Sequence, residues 1–107
     1  MAKGLRLKFL GIVATPEEIS AMSNAMGYNT YPNCNGWGNG GYRNFLGLTK
    51  SGKLYETCES LVSKGLMYSE EPPNRFGDKI IFHVSDLGKR FFQMFKRNHP
   101  HAYLKSL

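Results

Sequence analysis

The stretch Ser51-Gly52-Lys53-Leu54-Tyr55-Glu56-Thr57-Cys58-Glu59-Ser60-Leu61-Val62-Ser63-Lys64-Gly65-Leu66-Met67 decides the fold. Leu54, Cys58, Leu61 and Val62 fall at i, i+4, i+7 and i+8, the apolar stripe of a helix with one buried face. Ser51 is placed to cap its start. Gly65 closes it as a left-handed cap, and Leu66 supplies the hydrophobic contact that follows such a cap. Downstream, residues 67–69 and 79–84 read as short strands. The hairpin loop between them, 70–78, is stiffened by Pro72 and Pro73. Ile80, Phe82 and Val84 share one strand face, while Lys79 and His83 share the other, which is expected to be exposed. Ser85 caps a last helix whose inward face is Leu87, Phe91, Met94 and Phe95, stopped by Asn98 and Pro100.

Working upstream, Tyr42-Arg43-Asn44-Phe45-Leu46 reads as a short helix closed by Gly47. Residues 27–41, GYNTYPNCNGWGNGG, hold no periodicity and are a loop. Thr15-Pro16-Glu17-Glu18 is a strong helix start, with Thr15 as cap, Pro16 in the first turn and Glu18 completing a capping box. Ile19, Met22 and Met26 share one face of that helix, and Gly27 ends it. Leu5, Leu7 and Phe9 alternate with Arg6 and Lys8, the period-2 pattern of one strand running to about Val13. The fold class is therefore α+β. The layout of three helices, a β-hairpin and a C-terminal helix is that of a single winged helix-turn-helix domain with an added N-terminal strand. Residues 52–64 take the recognition-helix position and 70–78 the wing. Residues 1–107 form one domain, with the strand inside 1–14 and a tail at 99–107.

Composition sets the outer limits. A chain of 107 residues with 41% hydrophobic and 21% charged residues has an ordinary globular mix. That excludes a low-hydrophobicity disordered segment. No apolar run approaches the roughly 18 residues that cross a bilayer. The start lacks the apolar core of a secretion signal, and Cys34 and Cys58 are too few for a disulfide framework. A cytoplasmic protein is expected. The net charge of +6 favours a polyanionic partner. Its location matters more than its size: Lys89, Arg90, Lys96, Arg97 and Lys105 are matched by no acid in residues 88–107, whereas most acids lie in 54–87.

Two segments carry a resemblance. Leu61-Val62-Ser63-Lys64-Gly65-Leu66-Met67 and His83-Val84-Ser85-Asp86-Leu87-Gly88-Lys89-Arg90 are similar to the end of MarR-type winged helices. More of the chain, about 15–92, resembles a group of small uncharacterised bacteriophage and prophage proteins. The shared elements are Thr15-Pro16-Glu17-Glu18, Met26-Gly27, Tyr42-Arg43-Asn44-Phe45, Cys58 and residues 61–67. The departures are a longer loop at 28–41, Phe45 directly after Asn44, and a basic tail after 92. The resemblance implies an origin in a phage-infected host cell and a fold, and it carries no settled activity.

No catalytic constellation stands out, so no enzyme and no cofactor is expected. Cys58 lies on an apolar helix face and reads as a buried structural thiol. Cys34, His99 and His101 match no common zinc spacing, so no metal site is expected. The run Gly36-Trp37-Gly38-Asn39-Gly40-Gly41 lacks the strand and the Gly-Lys-Ser/Thr of a phosphate-cradling loop. Trp37 is either a contact residue or a lid folded over the core. Arg43 either meets a phosphate or carboxylate of a partner or orders the turn around it, and the second reading is favoured.

Function is left between two classes. The first is a phage-type DNA-binding regulator, with Arg43, Lys50, Lys53, Thr57, Ser60, Lys64, Arg75, Lys89, Arg90, Lys96, Arg97 and Trp37 as binding residues. The second is a protein-binding module on the same scaffold that occupies an acidic surface of a host complex. Charge and layout favour DNA. The mixed charges of 53–64 and the acids of the wing favour protein. A homodimer is expected, held by the 5–13 segment or the 99–107 tail.

Overall fold

A computed structural model describes residues 7–28, 43–75 and 77–98. The elements run β1 (Lys8–Phe9), β2 (Ile12–Val13), α1 (Pro16–Met26), β3 (Leu46–Leu48), α2 (Lys53–Ser63), β4 (Met67–Glu70), β5 (Ile80–Val84) and α3 (Asp86–Asn98). The two small sheets are antiparallel: β1 pairs with β2, and β3-β5-β4 is the order of the three-stranded sheet. The fold is thus mixed α+β, with three helices and two short sheets among the described residues.

A single strand is expected over 5–13, and residues 8–13, the part of it that lies in elements of the structure, form a hairpin instead. Leu10 and Gly11 both take positive φ, 56° and 78°, and turn the chain between Phe9 and Ile12. Two successive left-handed residues make the tight turn that suits the twist of a hairpin, and glycine tolerates it at no steric cost. Phe9 then enters the core edge-on against Phe91, with ring centroids 5.5 Å apart.

α1 begins as its sequence dictates. Glu18 N–H donates to the Thr15 hydroxyl and Thr15 N–H donates to the Glu18 carboxylate, closing the capping box. Its end is a Schellman turn in which Gly27 N–H reaches Asn24 O and Tyr28 N–H reaches Ser23 O. Ile19, Met22 and Met26 are buried together, as their spacing requires.

The short helix expected at 42–46 is absent over its described residues, 43–46. Residues 43–45 are irregular and Leu46–Leu48 is a strand paired with β5, Leu46 opposite Phe82 and Leu48 opposite Ile80. Asn44 explains the difference, because its side chain donates to Val84 O and accepts from Val84 N–H. Two bonds to the β5 backbone commit this segment to the sheet, and long-range pairing overrides a local helical pattern. The pair of helices expected in 42–64 therefore reduces to α2 alone.

α2 also starts differently. Gly52, at φ 98°, is the N-cap and no side chain caps the helix, so Ser51 does not serve. Cys58 and Leu61 are fully buried, whereas Leu54 is 37% exposed; Tyr55 instead meets Phe82 edge-on. The end is as expected: Gly65 N–H bonds Val62 O, Leu66 N–H bonds Leu61 O, and Leu66 is buried.

β5 is the central strand, and Ile80, Ile81, Phe82 and Val84 are all buried. His83 is half-buried rather than exposed, because Asn44 and Tyr68 flank it. Ser85 caps α3 by accepting from Gly88 N–H. Phe91, Phe92 and Phe95 fill the core, Phe92 beyond the expected set, while Leu87 and Met94 lie at its margin. Among the described residues no helix is long and apolar enough to cross a membrane.

Candidate nucleic-acid interface

Two residues of the outward face of α2, expected to read DNA, are engaged inside the protein, while Lys53, Glu56, Glu59 and Ser63 stay exposed. Ser60 Oγ donates to Glu18 Oε2 at 2.6 Å, and Lys64 Nζ meets Glu18 Oε1 at 2.6 Å. Lys64 also donates to Val13 O at 2.8 Å, so α1, α2 and β2 converge on one buried carboxylate. Burial alone would push the Glu18 carboxyl up. The bonds from Lys64, Ser60 and the Thr15 N–H, with the charge of Lys64, outweigh it and hold the group below its ordinary 4.5. Ser60 and Lys64 are therefore fastenings between helices and not free contacts for DNA.

Thr57 and Lys53 lie beside this network in a shallow cleft with Thr15, Glu17, Glu18 and Glu56. The Thr57 hydroxyl donates to Lys53 O one turn back. Carboxylates on both walls of the cleft oppose a phosphate backbone. The side of the β4–β5 loop is similar. Lys50 is exposed but paired with Glu71 at 2.9 Å, and that carboxylate raises its pKa.

Arg43 has the structural role. Its Nη2 donates to Asn24 O at 2.7 Å and to Asn24 Oδ1 at 3.2 Å. A cation on the last carbonyls of α1 also complements the helix dipole. The Arg75 guanidinium, in the loop between β4 and β5, lies 5.9 Å from the Phe45 ring centroid just before β3. Trp37 lies outside the described residues, as do Cys34, His99 and His101.

α3 differs from these surfaces. Lys89, Arg90, Gln93 and Arg97 are exposed along one side, opposite the buried Phe91, Phe92 and Phe95. Asp86, in the first turn, is the one acid of the helix. From Lys89 to Arg97 the stripe spans about 12 Å at 1.5 Å per residue. Lys96 does not belong to it. Its Nζ donates to the Tyr28 hydroxyl at 2.8 Å and lies 4.1 Å from that ring's centroid, pinning α3 to the end of α1.

The Cys58 thiol is buried, and desolvation first, then the charge of Glu59, pushes it up to about 11. Such a thiol is inert as a nucleophile at neutral pH. Among the described residues no cluster of His, Cys, Asp and Glu could hold a metal.

Sequence reasoning missed the Glu18 network, because nothing local to Ser60 or Lys64 signals a partner more than forty residues away. It also missed Tyr68, 53% exposed on β4, although the alternation of Met67 inward and Tyr68 outward carries that signal. Comparison with known protein families, with curated proteins and with solved structures finds no match to this chain.

Proposed function

We propose that this chain is a DNA-binding protein, a phage-type regulator on a winged-helix scaffold, and that it grips duplex DNA through α3 instead of α2. The observation that carries the reading is the exposed stripe of Lys89, Arg90, Gln93 and Arg97, backed by a fully buried aromatic face. A rigid row of cations neutralises phosphates without rearrangement, and phosphate contacts supply most of the affinity of such proteins. The hairpin β4–β5 after α2 supports the winged scaffold. The strand in place of the expected short helix departs from it. No catalytic or cofactor chemistry enters this reading.

A second reading has its own support. The α2 face and the wing carry acids beside bases, with Glu56, Glu59 and Glu71 near Lys50 and Lys53. That mixture suits a protein-binding module that docks its α3 stripe on an acidic host surface. Fluorescence anisotropy with a labelled blunt duplex separates the two. On the DNA reading, affinity falls with salt at a log–log slope of about −2.7 for three phosphates. Single charge removals at Lys89, Arg90 or Arg97 each lower that slope by about one unit. The combined Lys89→Glu, Arg90→Glu, Arg97→Glu variant loses binding and keeps its circular dichroism spectrum. No duplex binding at low salt, or full binding by that variant, overturns the DNA reading.

A further inference from the structure

The outer face of the three-stranded sheet carries a second set of groups that the α3 stripe does not use. Tyr68 on β4 stands directly opposite His83 on β5, and their rings stack at 4.9 Å with 19° between planes. Continuing the β3–β5 register one residue beyond Leu46 brings Phe45 opposite His83 on the other side. By register Phe45, His83 and Tyr68 line up across the sheet, with the Tyr68 and His83 rings in contact and Ile81 fully buried on the same face. His83 is fixed in place. Its Nδ1 lies 2.8 Å from Asn44 O, which can only accept, and its Nε2 lies 3.3 Å from Glu70 Oε1.

Cations gather at the Phe45 end of this line. The guanidinium groups of Arg43 and Arg75 lie 5.8 and 5.9 Å from its ring centroid. Lys79 is exposed and shares the face of Ile81 and His83 by alternation. The nearest atom to the position of a Cβ on Gly47 is Lys79 Cδ, at 3.9 Å, so the lysine stem crosses β3. The acid of this face, Glu70, is held against His83 at the opposite margin. At the Tyr68 end the aromatic surface is open, with the tyrosine 53% exposed.

We infer that this sheet face binds single-stranded nucleic acid, a base stacking on Tyr68 and the backbone phosphates facing Arg75 and Lys79. An exposed ring at one edge of a face with cations at the other can hold a strand of unpaired nucleotides, since every base offers a π-face and every nucleotide a phosphate. A duplex keeps its bases stacked inside and cannot use the ring. The surface is therefore distinct in ligand from the α3 stripe, and the proposal does not depend on duplex binding there.

The test uses the full chain and two labelled probes, a ten-residue oligothymidylate and a ten-residue oligouridylate, in anisotropy titrations at low salt. Tyr68→Ala weakens binding of the preferred probe about five-fold or more, the effect of losing one stacked base. Tyr68→Phe retains binding, because the ring and not the hydroxyl stacks. Lys79→Ala lowers the salt slope by about 0.7. The Tyr68→Ala loss persists in the α3 triple-reversal background, while duplex affinity is unchanged by Tyr68→Ala. Tighter binding of the thymidylate probe assigns DNA, and of the uridylate probe RNA. Failure of both probes to bind, or wild-type affinity in Tyr68→Ala, overturns the inference whatever the duplex experiment gives.

Discussion

Leu61 is fully buried in the middle of the α2 contact face, where truncation leaves a cavity that packed neighbours cannot close. Leu61→Ala is expected to cost about 2–5 kcal/mol by urea unfolding. Cys58 is buried on the same face with its thiol pushed up to about 11. In a chain carrying Cys34→Ser, maleimide labelling at pH 8 should be negligible until denaturant unfolds the protein. Glu18 adds a pH dependence whose sign follows from its depressed pKa. The folded state holds the proton less tightly than the unfolded chain, so this stabilisation is present above about pH 4.5 and is lost as pH falls through the lower folded value. Urea midpoints measured from pH 7 down to pH 3 should therefore fall less steeply in Glu18→Gln than in the unsubstituted chain. The sequence at 15–18 disclosed the capping role of this residue. Its tie to Ser60 and Lys64 was not legible there, because a buried ion pair between distant segments leaves no periodic signal.

Elements whose caps and periodicity agree were readable, and those decided by distant pairing were not. α1 shows its start in Thr15-Pro16-Glu17-Glu18 and its end in Gly27, and the structure realises both. β4, β5 and α3 follow from alternation and from Ser85 in the same way, except that Ile81, on the β5 face expected to be exposed, is fully buried. The segment 43–48 shows the limit. Arg43-Asn44-Phe45-Leu46 has no strong strand propensity, yet two Asn44 bonds to Val84 draw it into the sheet beside β5. Asn44→Leu should then leave buried backbone groups of Val84 unpaired and cost about 1–3 kcal/mol. The sequence around Gly88 likewise carries no signal of what that residue packs against. A Cβ there would lie 2.1 Å from Leu66 O and 2.7 Å from Val84 Cγ1, so α3 can approach the end of α2 only through glycine. Gly88→Ala is expected to lower the thermal midpoint sharply, since a backbone carbonyl cannot move aside as a flexible side chain would.

At the scale of the whole molecule, the β1–β2 hairpin is the element with least reason to be stable alone. A two-stranded hairpin is marginal in water, and this one is held by Phe9 packed on Phe91 and by Lys64 on Val13 O. It nonetheless exposes Leu10 at 48% and Val13 at 55%, two of the large apolar side chains left open to solvent. Leu10 pays for its place in the turn with a left-handed backbone that leucine seldom adopts. A polar residue would serve that turn better, so packing against another surface gives a reason for leucine there. A second copy of the chain is the simplest such surface, and it suits the proposed DNA-binding role because two copies double the phosphates engaged. Light scattering at high micromolar concentration is expected to give twice the chain mass. Leu10→Asn with Val13→Thr should return the mass of one chain while leaving the thermal midpoint within a few degrees, because neither side chain belongs to the core. The same variant should halve the salt slope on a duplex long enough for two copies. A single-chain mass for the unsubstituted protein at that concentration would remove the hairpin as a contact and leave α3 to act from one copy.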